Sequence, residues 1–280
     1  LHENACGLVW KHVPEPARAE RKEALRLAAL NIQRAGFTGV HDVQDVETLG
    51  LACELDVEGR LPLRVSGMCR PCDLDSGAAE AWVKARRDTP RVRLFALKLF
   101  LDGTFTSRTA WMLTPYKEGG TGLNVLEPAE LDRRMRQAAD LGLATAVHVI
   151  GDRAVRELLD ATERFRREHP DASLRMRAEH AQLVDPADVP RFRALEVAAS
   201  VQPAHLVPDF PVLLEHFPRR AACAYPFRAL LDARAPLCLS SDAPIMPADI
   251  GQCLHAAVNR SPWPAEAGST EKMTPPWRVN

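Results

Sequence analysis

Residues 94–103, LFALKLFLDG, and residues 143–152, LATAVHVIGD, are nearly all apolar, and each closes on a glycine and an aspartate. Runs this short, without the alternation of a strand that has one wet face, read as strands buried on both sides. Five further segments share the character: FTGVHDV (37–43), LPLRVSGM (61–68), LRMRAEHAQL (174–183), VAASVQPAH (197–205) and PLCLSSDAP (236–244). Amphipathic stretches at helical spacing separate them, near 44–57, 78–88, 127–141, 152–168, 186–195 and 226–234. Another helix runs from residue 17 to the stop at Gly36, and one more starts near Ala248.

This strand–helix rhythm specifies a parallel sheet covered by helices. No glycine-rich phosphate turn follows an early strand, which argues against a doubly wound nucleotide-binding sheet. Seven βα units are one short of a closed barrel. The expected fold class is α/β, a TIM-like (β/α)8 barrel lacking strand 1, with residues 1–280 as one incomplete barrel domain. The chain starts at Leu1, and its end, TEKMTPPWRVN, holds no closing element, so both termini are read as truncated.

Composition removes several classes of function. A formal net charge of -1 and a pI near 6.8 offer no attraction for nucleic acid or an anionic membrane. No apolar run approaches the roughly 20 residues of a bilayer-spanning helix. The seven cysteines are scattered, and the close pair Cys69 and Cys72 has no second pair to complete a zinc tetrad, so they are read as loop cysteines. A reducing, cytoplasmic setting is the expectation, with a small molecule as the partner and self-association as the protein contact left open.

Polar groups gather at five strand ends: His41 and Asp42; Lys98 and Asp102; His148 and Asp152; Glu179 and His180; Ser241 and Asp242. Carboxyl ends of barrel strands converge on one face, where barrel enzymes carry their chemistry. Taken singly, each has a plain structural reading. His148 and His180 can be packed residues, and Asp242 can cap the next turn. Lys98 within LFALKLF must pair with a carboxylate, be modified or lose its proton, because a lone buried ammonium is costly. Taken together, imidazoles and a carboxylate form a donor set suited to zinc or a related divalent ion.

Four stretches carry a likeness to a known family: LKLFLDGTFTSRTAWMLTPY, AVHVIGDRAVRELLDATE, RAEHAQLVDPADVPRFRALEVAASVQPAH and LCLSSDAPIMPADIGQCLHAAVNR. They resemble the amidohydrolase superfamily, in particular its YtcJ-like group, which includes N-substituted formamide deformylase. The resemblance implies a metal-dependent hydrolase with one or two divalent ions, zinc being expected. It implies that Lys98 is a carboxylated bridging ligand, that His148 and His180 are ligands, and that Asp242 is both ligand and general base. Metal-activated water would attack the carbonyl of an amide-type C–N bond. The family also implies a small β-sandwich domain, which is not found here, and a His-x-His pair on strand 1, which this sequence lacks. Activity of this polypeptide alone is therefore expected to be impaired.

Substrate contacts are expected from Asp102 and Arg108 after the Lys98 strand and from Gln202 and His205 in VQPAH. His41 and Asp42 are further candidates, while Trp111 and Trp263 are read as packing residues. Two rival readings stand beside the hydrolase. One is a Schiff-base barrel lyase using Lys98 as an amine nucleophile. The other is a non-catalytic barrel that binds a metal or ligand.

Overall fold

The computed structural model describes residues 7–261. In chain order its elements are α1 (Gly7–Trp10), α2 (Arg18–Arg34), β1 (Gly39–Val43), α3 (Val46–Val57), β2 (Arg64–Cys69), α4 (Pro71–Asp75), α5 (Ala78–Lys84) and β3 (Val92–Phe100). They continue as α6 (Pro128–Asp140), β4 (Ala144–Val149), α7 (Asp152–Glu168), β5 (Met176–His180), α8 (Val189–Ala194), β6 (Val197–Val201), α9 (Leu206–His216), α10 (Phe227–Asp232), β7 (Leu237–Leu239) and α11 (Ile250–Asn259).

The seven strands form one sheet in the order β1 to β7, and each pairs in parallel with the next. Nearest-neighbour parallel order with a helix at each crossover is the arrangement of a (β/α) barrel. All seven strands anticipated from the hydrophobic runs are present, one short of eight among the described residues. β1 and β7 do not pair with each other, so the sheet keeps two edges.

Leu97, Leu99, Val147, Val149, Ala178 and Ala199 lie in the large core shared with the helices. A second, smaller cluster gathers Met68, Ala96, Ala144 and Ala146, with Phe95 against it. Lys98 and His148 follow Ala96 and Ala146 at the period of two that keeps strand residues on one face. The same alternation that builds the inner layer therefore carries both polar groups to the strand ends. Gly67 lies where β2 meets β3 with a shift in register. A Cβ at Gly67 would lie 2.7 Å from the Leu49 side chain, so α3 can approach this strand only without one.

The element boundaries depart from the sequence reading in three places. The helix expected near 78–88 is α5, which stops at Lys84, and an unanticipated short helix, α4, precedes it across Gly77, whose φ is 75°. Cys69 ends β2 and Cys72 lies in α4, so neither is in a loop; all six described cysteines are free. Helix α9 was not anticipated, because Pro208 and Pro211 fall inside it. Pro208 is tolerated in the first turn, where its missing N–H would have no partner in any case. Leu206, Asp209 and Leu213 form its buried face.

Candidate metal centre

Lys98 lies near the end of β3 and is only 6% exposed. Its ammonium donates to the Leu99 carbonyl at 3.0 Å and lies 3.8 Å from the centroid of the Phe100 ring. Burial pushes it from 10.5 down to about 8, against the pull of Glu179, then Asp242. His148, from β4, lies one register step along the same inner face, opposite Glu179. Its Nε2 meets the Gly103 carbonyl at 3.0 Å, and burial, reinforced by Lys98, holds it neutral with a value of about 4.

His180 reaches this group by a departure from regular strand geometry. In the β4–β5 ladder it stands opposite Val149, so simple alternation would turn it away from His148. Its φ of 76° lies in the left-handed region, and its ring sits edge-on to that of His148, with centroids 4.4 Å apart. A non-glycine residue held there is strained, and such strain collects at sites where side-chain direction matters. Burial lowers the His180 value strongly, with His148 and Lys98 adding to it, and its Nδ1 has no hydrogen-bond partner.

Asp242 follows β7, also with a positive φ of 60°. Its Oδ2 lies 3.2 Å from His205 Nε2, and the His205 ring lies 6.0 Å from that of His180. The structure thus brings Lys98, His148, His180, His205 and Asp242 together at the carboxyl ends of the strands. Gln202 borders the same group: it is buried, gives Nε2 to the Ser200 carbonyl and the Ser240 hydroxyl, and leaves Oε1 without a partner.

The other candidates are used differently. Both oxygens of Asp102 are taken by backbone amides, from Trp111 at 2.9 Å, Ile150 at 3.0 Å and Gly151 at 2.7 Å. Its side chain is fully buried, so it clips two loops together and presents no surface to a substrate. Burial pushes it up to about 7 even so. A Cβ at Gly151 would fall 2.1 Å from the Trp111 carbonyl oxygen, so this close crossing requires a glycine. Arg108 is half-exposed and lies 3.6 Å from Glu118, beside a separate cavity of about 270 Å3. His41 accepts from Arg177 at the open amino end of the barrel, and partial burial, then Arg177 and Arg93, lower it to about 4. Trp111 packs against the core under Arg153, and Trp263 lies outside the described residues.

Glu179 was noticed at a strand end but given no role. It is buried, accepts from Arg177 Nε at 2.7 Å and is the strongest charge partner of Lys98. A larger cavity of about 460 Å3 lies beside Thr38, His41, Arg64, Arg91 and Arg93 near the amino ends of β1 to β3. The perturbed groups and the unpartnered buried nitrogen gather instead at the histidine group, at the opposite ends of the strands.

The donor set fits a divalent cation in kind: a carboxylate and two imidazoles held neutral, one of which, His180, leaves its Nδ1 without a hydrogen bond. Lys98 fits only as an oxygen donor after carboxylation, since an ammonium repels a cation. Among the described residues, no three His, Cys, Asp or Glu donor atoms of this group lie within 4.8 Å of one another.

A family model described as amidohydrolase family matches residues 1–275. A protein of Bacillus subtilis (strain 168) that bears the name amidohydrolase YtcJ is 31% identical over 274 residues, which cover 93% of this chain and 50% of that protein. The Arabidopsis thaliana protein LONG AFTER FAR-RED 3 is 34% identical over 173 residues, covering 60% of this chain and 30% of its own. Among solved structures, an uncharacterized metal-dependent hydrolase from Pyrococcus horikoshii OT3 superposes with a TM-score of 0.77 at 30% identity, covering 87% of this chain and 49% of that one. A similar hydrolase from Pyrococcus furiosus gives 0.76 at 30%, covering 92% and 52%. An adenosine deaminase from Xanthomonas campestris with bound zinc, at 15% identity and a TM-score of 0.55, shares the fold. The chain spans about half the length of the YtcJ protein and of the two Pyrococcus hydrolases.

Proposed function

Because the chain belongs to the amidohydrolase family, we propose that it carries the metal-binding and proton-transfer half of a hydrolase acting on amide-type C–N bonds. The observation that supports this reading best is the convergence of Lys98, His148, His180 and Asp242 from four strands, with His180 Nδ1 left unpartnered. His148 and His180 are the imidazole ligands, and zinc is the ion their chemistry favours. A bound divalent ion supplies an acidified water and polarisation of the substrate carbonyl.

The protein residues do the rest. Burial lowers Lys98 to about 8, which leaves a fraction of neutral amine near pH 7, the form that reacts with carbon dioxide to give the carboxylated side chain. Asp242 accepts the proton of the attacking water and returns it to the leaving nitrogen. His205, 3.2 Å from Asp242 Oδ2, orients that carboxylate, and Gln202 holds the neighbouring wall with its free Oε1. His205 and Gln202 are the substrate contacts this geometry favours.

The depressed Lys98 also suits an amine nucleophile, but a Schiff-base lyase leaves the histidines and Asp242 with no shared task. The test is Asp242→Asn in the whole protein, assayed on a panel of N-acyl amines. Turnover should fall by roughly 10²–10⁴, the usual contribution of a general base, while bound metal is largely retained. An unchanged rate would make Asp242 structural. Trapping of a carbonyl substrate on Lys98 by borohydride would replace the hydrolase reading with the lyase.

A further inference from the structure

Outside the histidine group, Glu118, Glu215 and His216 bring one donor atom each within 4.8 Å of one another. Glu118 lies in a tight turn closed by Tyr116 N to the Gly120 carbonyl and Gly119 N to the Tyr116 carbonyl, both 2.9 Å. Glu215 and His216 are the last two residues of α9. The His216 side chain is 7% exposed and aims Nδ1 at Glu118 Oε2, 3.2 Å away, yet no hydrogen bond of acceptable geometry reaches that nitrogen. Tyr116 fixes the ring from the side. Its hydroxyl donates to the Ala110 carbonyl at 2.9 Å, and its ring stands edge-on to His216 at 5.5 Å and to Phe217 at 4.8 Å.

An almost buried imidazole nitrogen at ion-pair distance from a carboxylate, but with no well-aligned hydrogen bond, has the chemistry of a metal ligand. One imidazole and two carboxylates suit zinc or a neighbouring first-row divalent ion better than calcium or magnesium, which favour oxygen alone. We propose that Glu118, Glu215 and His216 form a second, surface site for such an ion, with water in the remaining position. The ion clips the loop after β3 to the end of α9. Arg108, 3.6 Å from Glu118 Oε2, is the cation that shares this carboxylate in its absence. The clip joins two segments that follow functional strand ends, since β3 carries Lys98 and α9 follows Gln202 and His205.

The test compares the 280-residue chain with Glu118→Gln, Glu215→Gln and His216→Gln, none of which alters the Lys98, His148, His180 and Asp242 group. Each protein is dialysed against micromolar zinc, and the zinc retained per chain is counted. Tryptic cleavage after the exposed Lys117 is timed with zinc and with chelator. Each variant should retain one ion fewer than wild type, and zinc should slow cleavage in wild type alone. Equal zinc content and equal cleavage in all four would show a His216–Glu118 ion pair only and overturn the site. If His216→Gln fails to fold, the two exposed glutamates decide the matter, because their exchange leaves the core intact.

Discussion

Asp102 accepts three backbone amides from two separate segments, Trp111 in the loop after β3 and Ile150 and Gly151 at the end of β4. Asp102→Ala would leave two buried donors and one part-buried donor unpaired, and a buried unsatisfied group costs about 1–3 kcal/mol. The expected loss is about 3 kcal/mol in denaturant unfolding, with faster exchange of those three amides; unchanged exchange there would show that the loops are held by other contacts. His41 supplies a pH prediction. Its folded value of about 4 lies below its ordinary 6.5, so between these values the unfolded chain takes up a proton that the folded chain does not. This contribution to stability is present above pH 6.5 and is lost as pH falls toward 4. The difference in Tm between wild type and His41→Asn should therefore shift in favour of the variant on acidification from pH 7 to pH 4.5. A constant difference would mean that His41 titrates normally. Both roles escaped the sequence reading for one reason: it showed Asp102 and His41 at strand ends but not which backbone amides or arginine would face them.

Helix α9 carries Pro211 at an exposed interior position, where it removes a backbone donor. Pro211→Ala should raise stability by about 1–2 kcal/mol, the interior-helix penalty of proline offset by the extra freedom of the unfolded chain. A lower Tm for this variant would show that the ring is needed for packing. The buried spacing Leu206, Asp209 and Leu213 was present in the sequence, but it is interrupted by two prolines, which disfavour a helix interior. The strands were easier. β3 and β4 read as buried because uninterrupted apolar runs leave no wet face, and their ends placed Lys98 and His148 without reference to any distant residue.

At the scale of the molecule, the sheet has two edges among the described residues, β1 and β7, with half-exposed Val43 and Leu239 on them. Unpaired strand edges with apolar side chains favour association. The 280-residue chain should show a mass that rises with concentration in light scattering, and Val43→Lys should reduce the rise; a monomer at every concentration would show that the edges are covered. No described helix is long and apolar enough to cross a membrane, in line with the hydropathy of the sequence. The parallel strand order and the strand-end placement of Lys98, His148, His180 and Asp242 were determined by the sequence alone, because hydrophobic period is a local property that survives whatever the neighbours are. Only the tertiary structure decided which groups meet. The left-handed φ turns His180 toward His148, backbone amides absorb Asp102, Asp242 lies beside His205, and Glu118 is brought to His216. Those outcomes depend on departures from regular strand geometry and on close approaches between segments far apart in the chain, and neither leaves a periodic trace in a sequence.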